Sequence, residues 1–380
     1  VVFWRVAKNG FKILDSDMHV MEPPDLWQEY IDPQYADRAP RGLQRWVRDL
    51  AMVGPDGEPW GRPPEPPGPR TGHKFDDDQV RYNLDQERGW TNAVQLEAMD
   101  REGIDVAILY PTRGLHALSR SDLAPDLASA IARAYNDWMY EFCGIDRERM
   151  IGVGMISPFD VQDAIAETER CVKQLGFRGV FLRANVVTGK NWHDPYYDPL
   201  WSVLERLDVP IGFHESNSSA VKQVGDIFEP SFMLRHTFSH PVEQMLAMAA
   251  ICGGAVLERH PRLRVAFLEG NCSWLPWLLW RLDEHAEMFA DVWSPELRMK
   301  PSEYFKRQCY VSVDSEEYPV KYVIQDMGSD NIVYSTDYPH VDAHFPHSSE
   351  RFLQLPIGDE HKRKILWDNC AALYGTAVAV

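Results

Sequence analysis

Eight short and almost wholly apolar runs punctuate this chain, beginning near residues 13, 104, 151, 178, 209, 263, 309 and 332. Brief apolar runs without polar alternation suit strands covered on both faces, as in a parallel sheet. From the second run onward, each is followed by a segment of helical spacing before the next begins. The spacing predicts helices over 92–103 with Gly103 as the stop, 123–145, 161–175 ending at Gly176, and 198–207. Further helices are expected over 241–258, 275–288, 319–327 and 361–373. Eight strand–helix units in a row favour an α/β fold of the closed (β/α)8 TIM-barrel type over an open doubly wound sheet. The 380 residues, 44% of them hydrophobic, suffice for one such barrel as a single domain over 1–380.

The first unit is interrupted. Residues 31–90 show little periodicity and include Arg62-Pro63-Pro64-Glu65-Pro66-Pro67-Gly68-Pro69. A structureless stretch of that length in a compact domain is usually a functional lid or a disordered segment. It reads as a long Pro-rich insertion after strand 1, lying over the active-site face and partly ordered by Trp46, Trp60 and Phe75.

Charge and cysteine usage exclude several classes. The formal charge is −18, from 57 acidic and 39 basic residues, a field that repels nucleic acid and anionic membranes. No apolar run approaches the ~20 residues of a membrane helix, and no secretory h-region is visible. The six cysteines form no CxxC pair and are expected as buried free thiols in a reducing cytoplasm.

In a (β/α)8 barrel, chemistry gathers at the C-terminal ends of the strands. The first strand ends in Asp17-Met18-His19, with Leu14, Met18 and Val20 on one face and Asp17 and His19 together on the other. A carboxylate and an imidazole so placed make a two-toothed clamp for a divalent metal. The fifth strand ends in His214-Glu215, the sixth in Glu269 and the eighth in Asp337. Five metal-competent side chains on four strand ends exceed what ordinary core packing supplies.

This placement resembles the amidohydrolase superfamily. More closely, the chain is similar to the amidohydrolase-related branch of aminocarboxymuconate semialdehyde decarboxylase and the resorcylate-type decarboxylases. The resemblance rests on Asp17-Met18-His19, the run beginning Phe213-His214-Glu215-Ser216, Glu258-Arg259-His260-Pro261-Arg262-Leu263, and Glu269 to Pro276. It extends through Ser335-Thr336-Asp337-Tyr338-Pro339 and Asn369-Cys370-Ala371. Two positions depart from the pattern. Many relatives have His-x-His or Glu-x-His on strand one, where this chain has Asp-x-His. Characterised decarboxylases often place a His at the end of strand six, where this chain has Glu269-Gly270.

The resemblance implies a decarboxylase or hydrolase of a small aromatic or unsaturated carboxylic acid. It implies one divalent ion (Zn, Mn or Fe) held by Asp17, His19, His214 and Asp337. Asp337, Glu269 and His214 are then the catalytic candidates, with Glu269 moving the proton in place of the missing His. Arg113 and Arg183 are candidates for holding a substrate carboxylate through paired hydrogen bonds, and Trp192 for lining a ring pocket with Trp274, Tyr338 and Phe345. Trp274 and Trp277, at helical spacing with Trp280, read as packing. His236, His240, His340 and His344 fall in rim loops as hydrogen-bonders. Some of Glu215, His236, His240 and Glu269 would suit a second ion, which keeps a diiron monooxygenase on this fold as the alternative. The partner is a small molecule, and a homodimer is expected by the same resemblance.

Overall fold

The computed structural model describes residues 8–45, 49–61, 88–216, 220–340 and 342–375. Eight parallel strands form the wall: β1 (Leu14–His19), β2 (Val106–Tyr110), β3 (Met150–Gly152, resumed as Gly154–Met155) and β4 (Val180–Arg183). The second half is β5 (Ile211–His214), β6 (Val265–Phe267), β7 (Cys309–Val313) and β8 (Ile332–Tyr334). Every neighbouring pair that is hydrogen-bonded is parallel, and the order round the wall is the order in sequence. Strand residues are buried on both faces, which is why the sequence runs are apolar without alternation.

The wall has two joints. At Val153 the two pieces of β3 pair with different neighbours, bridged by Val153 N to Leu109 O at 3.2 Å and Gly154 N to Gly179 O at 3.0 Å. Between β1 and β8 there is no ladder at all. Side chains span that gap instead: Ser16 Oγ donates to Tyr334 O at 2.7 Å and Ser335 Oγ to Asp17 O at 3.1 Å.

Helices cover the outside much as spaced in the sequence. The first, α1 (Asn92–Glu102), is capped by Thr91 Oγ1 and stopped by Gly103 at φ 85°. It is followed by α2 (Pro125–Phe142), α3 (Val161–Lys173) and α4 (Asp198–Leu207). The helix expected from Pro241 begins nine residues earlier: α5 runs Phe232–Met248, with Ser231 Oγ accepting from Leu234 N at 3.4 Å. Proline usually opens a helix, but a serine cap upstream overrode that signal, and Pro241 lies inside. Next comes α6 (Leu275–Trp293), then α7 (Pro301–Gln308), which sequence spacing missed, and α8 (Val320–Met327). Of the two tryptophans expected as packing, Trp274 is half-buried against the core, whereas Trp277 on α6 is 57% exposed, as is Trp280 at 56%. All six cysteines are free and buried. No helix among the described residues is long and apolar enough to cross a membrane.

Of the insertion, Trp46 and Phe75 and the proline tract lie outside the described residues. The described part forms a hairpin of Arg41–Gly42 with Met52–Val53. It packs on the loop after β2: Trp60 Nε1 donates to Ala117 O at 3.0 Å, and Arg113 Nη2 to Asp49 O at 2.7 Å.

Candidate metal centre

On β1 the register with β2 slips between Asp15 and Met18, a bulge at Ser16 and Asp17 that breaks the regular alternation. Asp17 and His19 nonetheless converge, with His19 Nε2 3.5 Å from Asp17 Oδ1. From the other side of the barrel, His214 Nε2 lies 3.1 Å from His19 Nε2 and 3.2 Å from Asp17 Oδ1. Glu269 Oε2 is 3.0 Å from His214 Nε2, and Asp337 Oδ1 is 3.5 Å from His19 Nε2. Donor atoms sharing one ion at about 2 Å each are themselves roughly 3–4 Å apart. Two donor sets therefore converge, Asp17 with His19 and His214, and Glu269 with Asp337, His340 and His19, each within 4.8 Å, and His19 belongs to both.

Two further observations fit a cation. Asp17 Oδ2 is buried without a hydrogen-bond partner, a costly condition for a carboxylate oxygen, and Asp17 Oδ1, Glu269 Oε2 and Asp337 Oδ1 face imidazole nitrogens of the cluster itself. Both imidazoles are also oriented from behind. His19 Nδ1–H donates to Pro111 O at 2.6 Å and His214 Nδ1–H to Glu215 O at 2.8 Å, so each Nε2 faces the centre. Beneath His214, Tyr110 stacks at 5.3 Å between centroids. It fits there because residue 212 is glycine: a Cβ would meet the Tyr110 hydroxyl at 2.2 Å.

Glu269 and Asp337 have φ of 52° and 57°, left-handed values unusual for residues other than glycine and found at functional sites. Protonation follows from burial and facing charge. Burial disfavours the His214 imidazolium, but Asp17 and Glu269 outweigh that and hold its pKa well above the ordinary histidine value. Burial, then Glu269 and Asp342, push Asp337 well above the carboxylate range. Burial, with His340 and His214, keeps His19 neutral. Glu269 stays ionised because His214 and His240 outweigh its desolvation. Two protons thus sit where a divalent ion would bring the same charge.

A second layer surrounds this centre. His240 Nδ1 is 3.1 Å from Glu269 Oε1, and its Nε2 is 3.6 Å from Glu215 Oε2. Burial lowers its pKa, but Glu269 and then Glu215 push it up to about 10. His236 stands further out, stacked on His240 at 4.6 Å and facing Asp342 at 3.4 Å. Arg183 is buried, donating to Leu115 O, Asn185 Oδ1, Ser216 O and Glu215 Oε1. Arg113 is buried and turned toward the hairpin, with its Nε and Nη1 unpartnered. Trp192 donates to Ala184 O at 2.8 Å and lines a small enclosed space with Leu115, Phe181 and Arg183. Tyr338 and Phe345 are buried against each other at 4.5 Å.

Sequence reasoning undervalued His340. Its Nδ1 is 2.6 Å from Asp337 Oδ1, its Nε2 is 3.0 Å from Thr112 Oγ1, and its ring is 4.0 Å from that of His19. The available signal was its position three residues after Asp337. A cleft of about 410 Å³ opens onto the centre, lined among others by His236, His240, Glu269, Asp314, Asp337 and Asp342, a size suited to a small molecule.

An amidohydrolase family model matches residues 15–376. Among curated proteins, the chain is 29% identical over 297 residues to gamma-resorcylate decarboxylase of Rhodococcus jostii, covering 74% of this chain and 86% of that one. It is 26% identical over 250 residues to 2-amino-3-carboxymuconate-6-semialdehyde decarboxylase of Dictyostelium discoideum, covering 66% and 67%. Among solved structures, it resembles 5-carboxyvanillate decarboxylase of Novosphingobium aromaticivorans, complexed with manganese and 4-hydroxy-3-methoxy-5-nitrobenzoic acid. That match has TM-score 0.65, 18% identity and 97% coverage of both chains. The two-iron oxygenase alternative finds no support among these relatives. With the barrel, the converged strand ends and a family match over nearly its whole length, the chain belongs to the amidohydrolase family.

Proposed function

We propose that the protein is a metal-dependent carboxy-lyase that decarboxylates a small aromatic or unsaturated carboxylic acid. The observation that carries this is the convergence on His19 Nε2 of two donor sets, Asp17 with His214 and Asp337 with Glu269 and His340. Asp17, His19, His214 and Asp337 would hold one divalent ion, and the manganese in the carboxyvanillate decarboxylase supports that choice of class. When bound, the ion would act as a Lewis acid toward an oxygen of the substrate.

The chain's own groups supply the proton. Decarboxylation breaks one C–C bond, releases carbon dioxide and leaves an electron pair on carbon that needs a proton. His240 stores that proton and Glu269, 3.1 Å away, passes it inward, since Glu269 Oε2 faces the centre. Solvent in the cleft recharges His240. His340 Nδ1, 2.6 Å from Asp337 Oδ1, would orient that carboxylate toward the ion. Arg183 fixes Glu215, so its role is to orient the layer behind His240. Arg113, turned away from the cleft toward the hairpin, holds the cover in place, and Trp192 walls the side of strands two to four. We assign 31–90 to the same domain as a cover over the mouth, supported by the contacts of Trp60 and Arg113. Elemental analysis of purified protein tests the reading, followed by a screen of aromatic acids for released carbon dioxide. About one equivalent of Mn or Zn and a positive acid are expected; metal-free, inactive protein after loading would overturn it.

A further inference from the structure

We propose that the joint between β1 and β8 is a positioning device, in which a clamp between Asp15 and Thr336 sets how Asp17 and Asp337 stand on either side of His19 in the metal centre. The inference rests on the metal-centre reading above.

The bulge at Ser16 and Asp17 takes the Asp17 amide out of any strand ladder. Asp15 Oδ1 accepts that amide at 3.0 Å and also accepts from Thr336 N at 3.3 Å, while Oδ2 accepts from the Thr336 hydroxyl. One buried carboxylate thus grips the backbone of a ligand on β1 and the residue directly before a ligand on β8. The bonds on either side act the same way. Ser16 Oγ reaches Tyr334 O, Ser335 Oγ reaches Asp17 O, and His19 N donates to Tyr338 O at 2.6 Å. Asp15, Ser16, Asp17 and His19 are each tied to a residue within 334–338. Elsewhere round the wall, strand spacing is set by repeated backbone pairs. At this joint it is set mostly by side chains, with the single backbone bond from His19 N to Tyr338 O, where ligands from opposite ends of the chain come together. Hydrogen bonds behind metal ligands orient them, and their loss typically weakens metal binding about 10–100-fold.

The test uses the full chain and Mn2+. Thr336→Val removes the hydroxyl at nearly constant shape, and Thr336→Ser restores it. Mn2+ affinity is measured by isothermal titration, and the unfolding temperature of chelator-treated protein is measured separately. Thr336→Val is expected to weaken Mn2+ binding about 10–100-fold, with Thr336→Ser returning it to the wild-type value. If Thr336→Val lowers the unfolding temperature but leaves Mn2+ affinity unchanged, the clamp is merely structural and the proposal falls. Should Thr336→Val not fold, Ser335→Ala removes the neighbouring bond to Asp17 O; weakened affinity supports the device and unchanged affinity overturns it. Wild-type protein that binds neither Mn2+ nor Zn2+ defeats the metal centre itself and the clamp with it. Binding by the wild type with unaltered affinity in the variants defeats the clamp alone.

Discussion

Asp337 sits in a left-handed backbone conformation with a carboxyl group that burial and neighbouring acids keep protonated. Replacing it by Asn keeps the shape and removes a group that can ionise to hold a cation. Turnover of the acid found in the screen should fall about 10²–10⁴-fold, while chelator-treated protein should unfold no more easily, since one acid in a crowded cluster is gone. His214→Ala should bring metal content of the purified protein close to zero, measured by elemental analysis. The protonation pattern gives a pH prediction. His214, raised well above its ordinary value, and Asp337, raised likewise, both hold protons at neutral pH without the ion. Binding a cation must expel them, so metal affinity rises with pH and climbs by at most about 100-fold per pH unit while both protons remain. Titration in buffers of different ionisation enthalpy counts the protons released; a count of zero would contradict the assigned states. Asp17, His19, His214, Glu269 and Asp337 were legible in sequence because each stands at a strand end. His340 was not, since a histidine in a loop looks the same whether it faces solvent or Asp337.

At the scale of elements, two small features hold the site's supports in place. Gly212 lets Tyr110 lie under His214. Gly212→Ala would push a methyl group into the Tyr110 hydroxyl, which should cost about 1–3 kcal/mol in urea unfolding. Glu22 is buried and accepts from Thr112 N at 3.2 Å, Arg113 N at 2.8 Å and Gly114 N at 2.8 Å, pinning the loop after β2. Strand positions and α1, α3 and α4 were readable because apolar runs and the stops at Gly103 and Gly176 carry local information. The start of α5 was not, because Pro241 advertises a beginning that Ser231 had already made. α7 was missed because an eight-residue helix with polar spacing carries little periodic signal.

At the scale of the whole molecule, α6 is unlike its neighbours. Trp277, Trp280, Met288, Phe289, Val292 and Trp293 are 49–80% exposed, the last four of them in its C-terminal half. Their exposed area is on the order of the ~800 Å² per partner that a stable interface buries. We propose a homodimer through this face. Trp280→Glu together with Trp293→Glu should shift the mass in solution from twice the chain mass to once, read by light scattering, with the ion content unchanged. Helical spacing of the tryptophans read as packing in the sequence, because spacing alone does not say whether an apolar face turns inward or outward.

The unladdered joint has one more consequence. Asp17 and His19 stand on one side of it and Asp337 on the other, so an ion bound among them is a rivet through a pair of adjacent strands that, among the described residues, have no rungs of their own. Stripping the ion should therefore be felt first as faster amide exchange along these two staves, while the opposite side of the cask keeps its protection.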